Sequence, residues 1–199
     1  LIEAALPPAL QFPANFVFSL HKAGSSLLSA MVGGVCELAG IPSITIPDLM
    51  FDAGVEDNNW RRNEDILKLI TDGRIYFGFR YLPEFLIKSD FLTIEHKHVL
   101  LVRDPRDALV SQFYSYGGVH FSHATNENIS QYLLDQSIST SSLDIDNYVI
   151  EVAPDYLEKL VSYRSHLNVR STLICRYEQL YFYKREFLAA IFTHFDIEV

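Results

Sequence analysis

Short, continuously apolar runs alternate along the chain with longer stretches whose apolar residues recur at helical spacing. Residues 16–20 (FVFSL) read as a strand, and from Ser25 the pattern turns helical through Leu38, stopped by Gly40 and Pro42. Residues 43–46 predict a second strand, 63–71 a short helix and 75–79 a third strand, after which Pro83 at a first helical position starts another short helix. A fourth strand over 98–102 runs into a helix over 105–116, which Gly117 and Gly118 end. Ser, Thr, Asn and His dominate between 119 and 142, which predicts a flexible insertion or lid. Residues 144–167 predict a helix restarted at Pro154, 171–176 a fifth strand and 178–195 a final amphipathic helix.

Apolar strands that each feed a helix predict a three-layer α/β/α domain whose parallel sheet, of about five strands, is covered on both faces. The 199 residues suit one such domain, spanning 1–199. Ligands in these sheets bind at the carboxyl ends of the strands.

Composition narrows the ligand. A net charge of −9 argues against a broad nucleic-acid surface, which needs clustered cations, so any anionic ligand is expected to be held locally. Cys36 and Cys175 each sit in an apolar run and read as buried reduced thiols, which points to a reducing, cytoplasmic compartment. The longest uncharged stretch, 23–36, is too short for a membrane span, and the first residues lack the basic region of a secretory signal. The absence of an initiator Met suggests trimming.

Two strand ends carry candidate chemistry. In HKAGSS, Gly24 permits a tight turn, the amides of Gly24, Ser25 and Ser26 lie where a helix opens, and Lys22 adds a mobile charge, all suited to a phosphate. An N-capped helix beside an incidental Lys is the plainer reading of the same residues. The order is not that of a Walker A loop, whose Lys follows the second Gly, and this disfavours an ordinary ATP or GTP hydrolase. In RDPRDALVSQFYS, Arg103 ends a strand and Ser111 sits two turns into the next helix, where guanidinium and hydroxyl are able to converge on a second phosphate. Mutually compensating surface charges are the plainer alternative there.

The two segments together resemble the sulfotransferase family. HKAGSS is similar to its Lys-Ser-Gly-Thr-Thr-Trp loop, RDPRDALVSQFYS to its Arg-Asn/Asp-Pro-Arg/Lys-Asp motif with following Val-Ser and aromatics, and TLICRYEQL to its strand ending in Tyr-Glu-Asp-Leu. The resemblance implies a P-loop-like nucleotide-binding fold and sulfuryl transfer from 3′-phosphoadenosine 5′-phosphosulfate (PAPS) to a hydroxyl or amine, leaving adenosine 3′,5′-bisphosphate (PAP). By position it implies that Lys22 stabilises the leaving oxygen, that Ala23, Gly24, Ser25 and Ser26 grip the 5′-phosphate, that Arg103 and Ser111 take the 3′-phosphate, and that Leu27 and Tyr177 flank the adenine. It implies no metal, and an acceptor that is a small molecule, lipid or carbohydrate, with 119–142 on the acceptor side.

The general base departs from the family pattern. Small-molecule members carry Lys-Thr-His-Leu-Pro where this chain has Phe79, Arg80, Tyr81, Leu82 and Pro83, so Tyr81 stands at the position of the usual His. A phenol, with its ordinary pKa near ~10, is a poor base at neutral pH. Carbohydrate and tyrosylprotein members take a Glu from just after the second strand, where this chain offers Asp48 and Asp52, and Asp48 is the candidate taken forward. Leu27 replaces the stacking Trp, and the sequence reaches Val199 without the Gly-rich basic segment that closes over the 3′-phosphate, so a truncated chain or a more openly held cofactor is expected. His21 is expected to point away from the loop. His96 and His98, and His120 and His123, lack the acidic or Cys partners a metal needs. Two other classes compete: a non-catalytic nucleotide-binding protein on the same fold, and a nucleotide kinase, the latter disfavoured by the missing Walker Lys.

Overall fold

The computed structural model describes residues 10–119 and 127–199. Its centre is a five-stranded sheet in the order β2-β3-β1-β4-β5, with β1 at Asn15–Ser19, β2 at Ser43–Ile44, β3 at Ile75–Phe79, β4 at His98–Val102 and β5 at Thr172–Arg176. Every pairing is parallel, as continuous apolar strands require when both faces are covered. Strand order reverses at β1, flanked by β3 on one side and β4 on the other, and such a reversal opens a crevice at the carboxyl ends.

All five residues of β1 are buried. Phe16 and Phe18 are fully buried, each worth about 1.5–3 kcal/mol, and pack on Tyr76, Phe79 and His98. From the helical layer Tyr163 tilts over Phe18 at 5.5 Å and donates its hydroxyl hydrogen to the Ser19 carbonyl at 3.3 Å. Cys36 and Cys175 are buried free thiols, and burial pushes each up to about 11.

The helices are α1 (Ser25–Ala39), α2 (Ile46–Asp52), α3 (Asp57–Trp60), α4 (Glu84–Ile87), α5 (Pro105–Tyr114), α6 (Glu127–Ser141), α7 (Ile145–His166), α8 (Tyr177–Phe182) and α9 (Lys184–His194). Several depart from the sequence reading. The second strand stops at Ile44 because Pro47, in the first turn of α2, starts a helix instead of prolonging an extended run. Residues Glu64–Leu69 form a 3₁₀ turn capped by Asn63, and Pro83 caps α4 from outside it. Gly117 and Gly118 do not end the helix after β4, which continues through a π turn at Ser115–Val119. Within 119–142, read as loop-like, Glu127–Ser141 is helical; residues 120–126, with His120 and His123, lie outside the described residues. Pro154 does not restart α7, which runs unbroken from Ile145 to His166; the carbonyl the proline leaves without its donor is that of Ile150, a residue 73% exposed. The final helix is two, broken at Tyr183, whose φ of −128° and ψ of 55° leave the helical region.

Candidate functional site

The register of the sheet brings the two motif loops together. Ser19 of β1 pairs with Leu101 of β4, and Val102 of β4 with Arg176 of β5, so Lys22, Arg103 and Tyr177 leave three adjacent strands in one row. The contacts follow that row. Arg103 Nη1 donates to the Lys22 carbonyl at 3.1 Å, and the Arg103 guanidinium lies 4.4 Å over the Tyr177 ring. Arg103 Nε is buried without a partner among the described residues.

The loop after β1 is shaped by two left-handed residues, Lys22 (φ 56°) and Gly24 (φ 93°). For Lys22 this conformation costs about 1–2 kcal/mol. Gly24 is needed for a second reason: a Cβ there would stand 2.6 Å from the Tyr177 ring. The Ala23 amide is taken by the Leu20 carbonyl at 3.2 Å, so Ala23, itself fully buried, supports the loop and does not present its amide to a ligand. The first helical hydrogen bond of α1 is Leu28 N–H to Gly24 O at 2.9 Å. The amides of Gly24, Ser25, Ser26 and Leu27 therefore open the helix without acceptors among the described residues, and its first turn holds no acidic side chain. Such an N-terminus favours an anion. Ser25 is buried, Ser26 is exposed, and Leu27 is half-buried against the core.

Lys22 Nζ donates to Ser115 Oγ at 2.9 Å, and burial, then Arg80 and Arg103, hold its ammonium below the usual lysine range. Ser111, one turn earlier on α5, is half-buried and has no side-chain hydrogen bond among the described residues. Asp104 caps α5 and is clamped by Arg106, whose hydrogen bonds bring its carboxyl down to about 2.

On the other side of β1, the end of β3 faces α2. Ser26, Ser29, Asp48, Phe77, Gly78 and Arg80 line a cleft of about 370 Å³. Gly78 (φ 92°) makes the close approach possible, since a Cβ there would meet Thr45 Cγ2 at 2.5 Å. Asp48 is in the first turn of α2 and not in a loop; burial raises its carboxyl, opposed by Arg80 and reinforced by Asp52. Tyr81 is turned inward: it is 6% exposed, packs on Trp60 and lies 3.5 Å beneath the Arg61 guanidinium. Burial first, then Asp57, keeps its phenol firmly protonated.

The histidines divide in the same way. His21 Nε2 meets the Tyr116 hydroxyl at 3.2 Å while its buried Nδ1 has no partner. Burial, with Arg80, Lys159, Lys22 and Arg61 adding, depresses it to about 3. His98 is a core residue, bonded to the Phe91 carbonyl at 2.9 Å, and His96 meets the Ala14 carbonyl at 3.0 Å. Among the described residues no group of three or more His, Cys, Asp or Glu is placed to hold a metal, and no helix is long and apolar enough to cross a membrane.

Sequence reasoning missed Ser115, Arg80 and Arg61. Ser115 follows Ser111 by one helical turn, a spacing visible in the sequence; no local signal marks Arg61, which folding alone brings over the Tyr81 ring.

No protein-family model matches the sequence, and no curated protein matches it by sequence. Solved structures match it throughout. Mouse sulfotransferase SULT7A1, complexed with PAP, superposes with a TM-score of 0.56 at 16% identity over 96% of this chain, and this chain spans 60% of that one. A sulfotransferase from Alicyclobacillus acidocaldarius superposes with a TM-score of 0.55 at 9% identity, over 95% of this chain and 83% of that one. The fold is the sulfotransferase fold, a P-loop-like α/β architecture.

Proposed function

We propose that the chain transfers a sulfuryl group from PAPS to a hydroxyl acceptor, releasing PAP. The observation that carries this reading is the direct link between the two motif loops, Arg103 Nη1 to the Lys22 carbonyl, which brings two anion-binding devices side by side. Mouse SULT7A1, which has the same fold, is a sulfotransferase complexed with PAP. The residues present suit such a ligand: four unpaired amides at the start of α1, an orphaned Arg103 Nε and a free Ser111 hydroxyl are all donors.

Bound, the donor supplies a sulfuryl group that leaves its 5′-phosphate oxygen for the acceptor oxygen as the old S–O bond breaks. The loop from Gly24 to Leu27 directs its amides at the 5′-phosphate, and Lys22 neutralises charge on the leaving oxygen. Arg103 and Ser111 hold the 3′-phosphate, and Tyr177 and Leu27 bracket the base. Asp48 takes the acceptor proton, because it is a carboxylate in an open cleft beside Ser26, whereas Tyr81 is inward and protonated. The buried state of Tyr81, at the position of the family His, also favours a second reading, a non-catalytic PAP-binding protein.

Calorimetric titration with PAP tests the proposal. Wild type is expected to bind, with affinity reduced by about tenfold or more in Lys22→Ala and Arg103→Ala; no binding by wild type rejects it. Transfer of label from PAPS to a panel of hydroxyl acceptors then separates the readings, since binding without transfer selects the non-catalytic one. Asp48→Asn is expected to lower turnover more than Tyr81→Phe.

A further inference from the structure

The chain carries nine negative charges in excess, yet cations without carboxylate partners gather at the end of β3. Arg80 is exposed in the cleft wall, and among the described residues it forms no ion pair. Arg61, from the end of α3, lies over the Tyr81 ring and likewise has no ion pair among the described residues. Both act through space on His21, together with Lys22 and Lys159, and of these four Lys159 alone has a carboxylate in contact, Asp155 at 2.6 Å. Two acids act in the same region without pairing with either arginine. Asp57 accepts from Trp60 Nε1 at 3.2 Å, and Asp48 acts on Arg80 only at a distance.

The proposed donor accounts for Lys22 and Arg103, which belong to the two phosphate loops. It does not account for Arg80, which follows β3 and lines the cleft with Asp48, or for Arg61, which follows α3 and lies over the Tyr81 ring. Arg80 is exposed in the cleft without an ion pair, and Arg61 acts with it through space on Tyr81 and His21, so the positive potential there is lowered by an anion. A guanidinium fork binds a planar or tetrahedral oxyanion through paired N–H donors.

We propose that Arg80 holds an oxyanion on the acceptor, so that the preferred acceptors are hydroxyl compounds carrying a carboxylate or sulfonate. The ligand is named an acceptor on the strength of the sulfuryl-transfer reading. The hydroxyl then faces Asp48 and Ser26 in the same cleft, with the anion fixed by Arg80.

Matched ligands titrated calorimetrically, into the protein alone and with saturating PAP, test this. The set is 4-hydroxybenzoate, 4-hydroxybenzenesulfonate, mandelate and the methyl esters of the two carboxylic acids. At least one anion is expected to bind about tenfold or more tightly than an uncharged ester of the same frame, with the advantage shrinking at high salt. The carboxylate and sulfonate arms rank the two sources of the oxyanion. Arg80→Gln is expected to erase the advantage and Arg80→Lys to restore part of it, with PAP affinity held within about twofold. Equal binding of acid and ester by wild type in every frame overturns the proposal. So does an equal loss for acid and ester in Arg80→Gln, which moves Arg80 to the donor side. Failure of PAP to bind rejects the transfer reading separately, since the comparison of acid with ester is made on the protein alone as well.

Discussion

The ammonium of Lys22 donates to the hydroxyl of Ser115 at 2.9 Å, tying the loop after β1 to the turn after α5. This bond fixes a charge that burial and two neighbouring arginines already destabilise, so Lys22 is held at the site without its full hydration. An ammonium in that state gains from an anion placed beside it. Lys22→Met is expected to lower transfer by about 10²–10³-fold, as loss of a transition-state charge partner does. Ser115→Ala is expected to cost under about tenfold, because the bond from Arg103 to the Lys22 carbonyl still holds the residue's backbone in place. Turnover with labelled PAPS measures both, and wild-type turnover in Lys22→Met would remove that residue from the chemistry.

The Tyr177 ring packs against Gly24, which has no side chain, and the Arg103 guanidinium lies 4.4 Å over it. Gly24→Ala introduces a Cβ 2.6 Å from that ring at a φ of 93°, and so is expected to cost about 1–3 kcal/mol in urea unfolding and to weaken PAP binding. Tyr177→Ala removes the clash but not the backbone strain. The double variant should therefore recover part of the stability lost in Gly24→Ala, and a strictly additive loss in the cycle would show that the ring is not what the new methyl meets.

The carboxyl of Asp48 lies above the usual aspartate range because of burial, and Arg80 opposes that rise while Asp52 adds to it. A base acts only when ionised, so kcat/KM is expected to climb with pH through this raised value and to lose that acid limb in Asp48→Asn, with about 10²–10⁴-fold less activity. Arg80→Gln withdraws the lowering influence and is expected to move the limb to higher pH. The sign for stability is opposite: ionising Asp48 costs native stability as pH rises through its folded value, so Asp48→Asn should unfold no earlier than wild type at pH 7. A pH–rate profile unchanged in Asp48→Asn excludes it as the base.

The sheet and both strand-end loops were legible because their signals are local. FVFSL and HVLLV are continuous apolar runs, and Gly24 and Pro105 mark where a helix opens after each. α2 escaped notice although Pro47 followed by Asp48 is itself a helix-start signal, because the apolar SITI before it read as a longer strand. The Asp48 cleft was not legible for a different reason. Arg80 and Asp48 share a cleft only through the seating of α2 on Gly78, a long-range contact with no local signature. The same holds for Tyr81, whose inward turn depends on Trp60 and Arg61 and not on its neighbours in sequence.

Two buried imidazoles make the fold sensitive to acid. Burial, with Arg80, Lys159, Lys22 and Arg61 adding, depresses His21 to about 3. Burial also depresses His98 to about 4, opposed by its bond to the Phe91 carbonyl and aided by His96 and His194. In the unfolded chain both titrate near ~6.5. Below that pH the unfolded state takes up protons that the native state refuses, so the stability present above about 6.5 is lost as pH falls toward the folded values of about 4 and 3. The combined loss by pH 4.5 is on the order of a few kcal/mol. Urea midpoints at pH 7.5, 6 and 5 are expected to fall steadily. His98→Gln, whose carboxamide is able to keep a donor toward Phe91, should start less stable at pH 7.5 and show a flatter slope, and His21→Asn likewise. A wild-type midpoint that does not move over this range would mean that both rings take up their protons in the folded state, and the cation cluster around His21 would then not be as dry as its buried, unpartnered Nδ1 implies.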